Sequence, residues 1–127
     1  MAIKLADIRF HYSDRPEHAV LNIPSWSLSP GDQVLVHGPS GSGKSTLLGL
    51  LSGLLTPNDG SLTVLGQSLN SLSNRQRDQF RAAHIGYVFQ QFNLMPYLNA
   101  IDNVLLATRF SVRKNTNTTK EEIKTLF

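Results

Sequence analysis

The chain has 127 residues, with 12 Lys and Arg against 9 Asp and Glu and a formal net charge of +3, a length that suits one folded domain rather than two independent cores. It contains no cysteine, which excludes disulfide scaffolds, thiol nucleophiles and Cys-ligated metal sites, and the small basic excess is spread along the chain, against a nucleic-acid partner. The apolar runs are a few residues long where a membrane helix needs about 20, and the segment from Met1 to Asp7 lacks the apolar stretch of a secretion signal, so a cytoplasmic location is expected.

From Ile3 to Tyr12 the apolar residues Ile3, Leu5, Ile8, Phe10 and Tyr12 alternate with polar neighbours, which predicts one or two half-buried strands whose phase slips near Ala6 and Asp7. A polar bend over 13–17 leads to a second strand region, Val20 to Ile23 and Ser25 to Leu28, interrupted by Pro24; an edge position tolerates that proline. After a turn at Pro30, Gly31 and Asp32, the run Val34-Leu35-Val36 has the continuous apolar character of a strand buried on both faces of a parallel sheet. This strand is expected at the centre of the fold. Beyond a Gly/Ser-rich loop, leucines at 47, 48, 50, 51, 54 and 55 predict a helix of about ten residues, ended by Thr56 to Gly60.

Ser61 to Leu65 alternates as a strand closed by Gly66, and Ser73-Asn74-Arg75-Gln76 has capping-box spacing that opens a polar helix to Ala83. Ile85 to Phe89 reads as another buried strand. Asn99 is placed to cap a helix over 100–108, and residues 115–118 form a loop. A further capping box at Thr119 to Glu122 precedes Ile123, Leu126 and Phe127 on one helical face. The chain is therefore expected to end inside a helix.

The segment Gly38-Pro39-Ser40-Gly41-Ser42-Gly43-Lys44-Ser45-Thr46 satisfies the phosphate-loop pattern G-x-x-x-x-G-K-[ST]. A chance match in a chain of this composition is expected about 0.4% of the time, and its place between an apolar run and a Leu-rich helix is the one the chemistry requires. Glycines let backbone N–H groups converge on an anion at a helix N-terminus, where side chains would fill the cradle. Lys44 brings a mobile charge to the β- and γ-phosphates, worth on the order of 4 kcal/mol at 4 Å and an effective dielectric of 20. Ser45 offers a hard hydroxyl oxygen to Mg²⁺, and Thr46 can reach a phosphate through its N–H or hydroxyl. ATP with Mg²⁺ is the expected ligand.

Three blocks in order resemble the ATP-binding subunits of ABC transporters: Gly38 to Thr46, Leu54-Leu55-Thr56-Pro57-Asn58-Asp59-Gly60, and Ile85-Gly86-Tyr87-Val88-Phe89-Gln90. The continuation from Gln91 to Pro96 and from Asn99 to Val104 is similar to the branch serving lipoprotein release and macrolide export. The resemblance implies an α/β fold: a P-loop NTPase core with an N-terminal antiparallel β-subdomain and the start of a helical subdomain. It gives Gln90 a catalytic and metal-binding role, on Mg²⁺ or the attacking water, with Gln91 as its rival. It makes Tyr12 an adenine-stacking aromatic, the alternative being that Tyr12 extends the apolar row of Ile8 and Phe10. His11, His18, His37 and His84 have no metal-ligand spacing.

Residues 1–127 are expected to form a partial ABC-type domain, because they contain no LSGGQ signature, Walker B strand, D-loop or switch histidine. As implied by the resemblance, the full family member is an ATPase that couples ATP binding and hydrolysis to transport. Its partners are integral membrane permease subunits and a second ATP-binding subunit, and it sits peripherally at the inner face of the cell membrane. The 127 residues alone are expected to bind nucleotide without efficient hydrolysis. A non-catalytic nucleotide-binding module is the alternative. A small-molecule kinase is a third reading, for which only Arg109 and Arg113 are placed as lid arginines.

Overall fold

The structure, a computed structural model, describes residues 1–88 and 94–106. It divides into two compact units, Met1–Ser73 and Asn74–Phe127. The first holds strands β1 (Ile3–Phe10), β2 (Leu21–Leu28), β3 (Asp59–Val64) and β4 (Gln67–Ser68), helix α1 (Lys44–Leu51) and a 3₁₀ turn at Leu69–Ser71. The strands form one sheet in the order β2-β1-β3-β4, antiparallel at every junction. An antiparallel N-terminal sheet, with the helix after the Gly-rich loop set between β2 and β3 in the chain, is the α/β arrangement expected from the sequence.

The slip of phase in β1 is a β-bulge. Leu5, Ile8 and Phe10 are all buried although the first two are three residues apart, and the extra residue is taken up at Asp7, whose φ is +51°, where the register against β3 shifts between Ala6 and Arg9. Gly60 lies against the bulge with φ +91°, and a Cβ built there would sit 2.4 Å from Asp7 O and 2.6 Å from Ala6 O. Only glycine lets β3 pass that close. On the other side β2 runs through Pro24 without a break, because it is an edge strand and Pro24 falls opposite the bulge, between the pairs Ala6↔Ser25 and Ile8↔Ile23.

The core on one face of the sheet consists of Leu5, Ile8, Phe10, Leu62 and Val64, joined by Leu69 and by Leu50 of α1; burying each such side chain is worth about 2 kcal/mol. Leu65 (φ +50°) and Gly66 (φ +80°) join β3 to β4 through a two-residue turn with both central residues left-handed, the arrangement that matches strand twist. Asn70 ties the 3₁₀ turn back to β3: its Oδ1 accepts from Leu62 N–H at 2.8 Å and its Nδ2 donates to Gly60 O at 3.2 Å.

Helix α1 has eight residues rather than ten. Gly53, at φ +76°, ends it, donating its N–H to Leu50 O at 3.1 Å while Leu55 N–H returns to Gly49 O at 3.0 Å. The expected strand at 34–36 is absent. Val34 and Leu35 are exposed, Leu35 by 84%, and no described strand pairs with them. An apolar run becomes a buried strand only when neighbours satisfy its backbone groups.

The second unit contains α2 (Asn74–His84) and α3 (Ala100–Leu106). Helix α2 begins directly after Ser73, as the capping-box spacing predicts, and ends with Arg81 and His84 in its last turn, where positive charge favours the helix dipole. Asn99 caps α3, its Oδ1 accepting from Asp102 N–H at 2.8 Å. Asn103 locks the preceding loop to this helix: its Oδ1 accepts from Met95 N–H at 2.8 Å, and its Nδ2 lies 3.0 to 3.3 Å from the carbonyls of Met95, Leu98 and Asn99. The strand expected from Ile85 is not formed over 85–88, and Val88 is 96% exposed; like 34–36, this run has no described partner strand. Phe89, Thr108, the loop at 115–118, Arg109, Arg113 and the final helix expected after Thr119 lie outside the described residues.

Candidate functional site

The loop from Gly38 to Gly43 is curled rather than extended. Ser42 N–H donates to Pro39 O at 3.2 Å, closing a turn over Ser40 and Gly41, and Gly41 and Gly43 have φ of +82° and +98°. Gly43 is the N-cap of α1 and no side chain caps the helix. The first backbone bond from within α1 runs from Leu47 N–H to Gly43 O at 2.9 Å, which leaves the N–H groups of Lys44, Ser45 and Thr46 without intrahelical partners. Three donors and the positive end of the helix dipole thus meet at the loop.

The space around two of these glycines is close as well. A Cβ on Gly38 would lie 2.8 Å from Ser42 Oγ, and one on Gly43 would lie 2.8 Å from Leu21 Cδ2 and 3.2 Å from Val20 O. The second contact shows what seats the loop: the start of β2 packs directly against the residue that opens α1. Pro39, Ser40 and Gly41 are exposed on the rim.

Lys44 folds back over the curl. Its ammonium donates to Gly38 O at 2.6 Å and Pro39 O at 2.8 Å, with Ser42 Oγ at 3.3 Å. These acceptors are neutral, and a phosphate oxygen in their place would make the shorter, stronger charge-assisted bond. The Ser45 hydroxyl is exposed and makes no hydrogen bond to a described residue. The donors, the curl and the free hydroxyl fit a triphosphate carrying Mg²⁺.

Tyr12 stands two residues past β1, after the chain has left the sheet. It is 44% exposed, so it is not another member of the buried row of Leu5, Ile8 and Phe10, although its ring meets Phe10 edge-on with centroids 4.9 Å apart. Its hydroxyl is 3.0 Å from Thr46 Oγ1. Thr46 itself is 6% exposed, within α1. Tyr12 is therefore brought to the first turn of α1, at Thr46, across 34 positions of sequence. Gln90 and Gln91 lie outside the described residues.

The sequence reading missed two residues that hold this region in place. Asn58 accepts from His11 N–H through Oδ1 at 2.7 Å and donates its own N–H to Arg9 O at 2.9 Å, pinning the chain just ahead of Tyr12. Gly60 sets the bulge. The signals for both were a turn-forming stretch and the second block of the family resemblance, neither of which gives a partner.

A curled glycine loop at an uncapped helix N-terminus, with a lysine on its first turn and an aromatic residue beside it, defines a phosphate-loop nucleotide-binding protein. The profile of the family described as ABC transporter matches residues 21–126, and the chain belongs to that family, among its ATP-binding subunits. It is 41% identical over 87 residues to the lipoprotein-releasing system ATP-binding protein LolD of Coxiella burnetii, a match covering 68% of this chain and 37% of that protein. It is 42% identical over 94 residues to the macrolide export ATP-binding/permease protein MacB of Chromobacterium violaceum, covering 74% of this chain and 15% of that one. The ATP-binding cassette MJ0796, solved as a dimer in a post-hydrolysis state bound to ADP and Pi, superposes with a TM-score of 0.82 at 32% identity, over 94% of this chain and 53% of the cassette. The chain thus spans roughly half of that cassette and less of the two relatives.

Proposed function

We propose that this chain supplies the nucleotide-binding face of an ABC transporter ATP-binding subunit. The observation that carries the reading is the curled loop, where Lys44 caps the carbonyls of Gly38 and Pro39 and the first three N–H groups of α1 have no intrahelical partner. In this reading Gly38 to Thr46 hold the phosphates of ATP, with Lys44 transferring its ammonium from the loop carbonyls to the β- and γ-phosphates. The Tyr12 ring stacks on the adenine, a contact that any purine face allows and that needs no hydrogen-bonding edge. Ser45 and Gln90 hold Mg²⁺, which neutralises phosphate charge when bound.

Because positioning and charge stabilisation carry most of phosphoryl transfer, residues 1–127 bind ATP yet hydrolyse it poorly, having no Walker B carboxylates among them. The subunit couples ATP binding and hydrolysis to export or lipoprotein release, at the inner face of the cell membrane. It does so with permease subunits and a second copy of the ATP-binding subunit. The relatives' names support the first pairing and the dimeric cassette the second. Among the described residues no helix is long and apolar enough to cross a membrane.

The test measures binding and turnover on the same protein. Saturable, Mg²⁺-dependent ATP binding with phosphate release near the solution background is expected. Steady multiple turnover by the 127-residue chain would contradict the assignment of the missing carboxylates.

A further inference from the structure

We infer that the Tyr12 hydroxyl is a positioning group for the phosphates, acting through Thr46, in addition to whatever its ring does for the base. The inference rests on the nucleotide-binding reading above and deepens it by joining the base side of the site to the phosphate side.

Thr46 Oγ1 and Tyr12 Oη are 3.0 Å apart. Among the described residues this is the only hydrogen bond of either side chain, and Thr46 is almost wholly buried while Tyr12 is not. A phenol is the stronger donor and weaker acceptor of two hydroxyls, so Tyr12 donates to Thr46. A threonine hydroxyl can accept on its lone pairs and still donate its own proton. Once Tyr12 has filled one lone pair, the Thr46 proton is free to turn toward an anion at the N-terminus of α1.

The competing fate of that proton is specific. A threonine in a helix tends to donate back to the carbonyl four residues earlier, which spends its hydroxyl on the backbone. Thr46 makes no such bond to Ser42 O. Ser42 precedes the N-cap Gly43, so its carbonyl is not part of the helical ladder and leaves the Thr46 proton unclaimed, and a chain of two hydroxyls, joined at 3.0 Å and ending on a phosphate oxygen, polarises in one direction. The ring of Tyr12 is set for this by Phe10, whose edge-on contact at 4.9 Å fixes the plane, and by Asn58, which pins the backbone at His11. Phenylalanine at position 12 would keep the ring and lose the relay.

The test uses the full chain and two probes, Mg-ATP and Mg-tripolyphosphate, the second having phosphates and no base. Tyr12→Phe is expected to weaken both by a similar factor, about fivefold, the worth of one net hydrogen bond. In a Thr46→Val background the same change at Tyr12 should do nothing further, and in Thr46→Ser, which keeps the hydroxyl and guards against misfolding of the valine variant, the loss should return. A loss confined to ATP, with tripolyphosphate untouched, would place the Tyr12 hydroxyl on the base side of the site rather than on the phosphates. That result overturns the inference, as does an undiminished Tyr12→Phe effect in Thr46→Val. Lys44-dependent binding of both probes with no response to Tyr12→Phe removes this inference alone. Failure of the wild-type chain to bind either probe removes the nucleotide-binding reading along with it.

Discussion

Gly60 is the position where a single methyl group should do most damage to the frame of the site. Gly60 and Gly66 both have left-handed φ, +91° and +80°, so alanine at either costs about 1 to 2 kcal/mol for the backbone conformation alone. They differ in space: at Gly66 a Cβ meets nothing within 4 Å, whereas at Gly60 it would lie 2.4 Å from Asp7 O and 2.5 Å from Asp7 C. Backbone atoms on an internal strand cannot swing aside, and relieving the overlap by moving β3 off the bulge adds about 2 kcal/mol or more, the scale of core overpacking. Urea unfolding followed through Trp26, the single tryptophan, on β2 reads the difference. With a slope near 2 kcal/mol/M, the midpoint of Gly60→Ala should fall about 1 M below that of Gly66→Ala. Equal midpoints would refute the close crossing of β1 and β3, and with it the bulge that brings Phe10 into the core and the chain on to Tyr12.

Leu65→Asn should raise the stability by about 1 kcal/mol, because Leu65 is exposed with φ +50° in the β3–β4 turn and asparagine tolerates that conformation far better; an unchanged unfolding midpoint would contradict the turn geometry. Asn103→Ala removes the acceptor of Met95 N–H and the donor to three carbonyls, so hydrogen exchange at Met95 should quicken by about tenfold, and no change there would contradict the lock on the 95–99 loop. Asn58→Ala should weaken ATP binding only modestly, by about threefold, since it loosens the His11 backbone ahead of Tyr12 without touching the ligand; a loss as large as that of Lys44→Ala would mean Asn58 contacts the nucleotide.

Local signals carried far into this structure. The slip of alternation at Ala6 and Asp7 was the bulge, Pro24 marked an edge strand, and Asn99 sat where a cap was needed. The Gly-rich pattern located the curled loop and the helix that follows it, because both are dictated by residues next to one another in sequence. Signals that depend on distant partners failed. Val34 to Val36 and Ile85 to Val88 have strand-like composition, but a strand forms only against a neighbour, and composition does not say where the neighbour is. The stop at Gly53 was masked by leucines that continue the helical spacing past it. The Tyr12–Thr46 bond, the Gly60 crossing and the Asn58 clamp join positions 34 to 53 residues apart, so each residue could be placed in an element while its contact stayed hidden.

If the curl from Gly38 to Thr46 is a phosphate cradle with Lys44 as its mobile charge, removing that charge must weaken triphosphate binding. Equilibrium titration of Mg-ATP into the wild-type chain and into Lys44→Ala, each checked for an unchanged circular dichroism spectrum, tests it most directly. Saturable binding by the wild type, weakened about 10- to 100-fold in the variant as befits a lost charge-assisted bond, is the expected result. Equal affinity in the two proteins, or no binding by either, would contradict it.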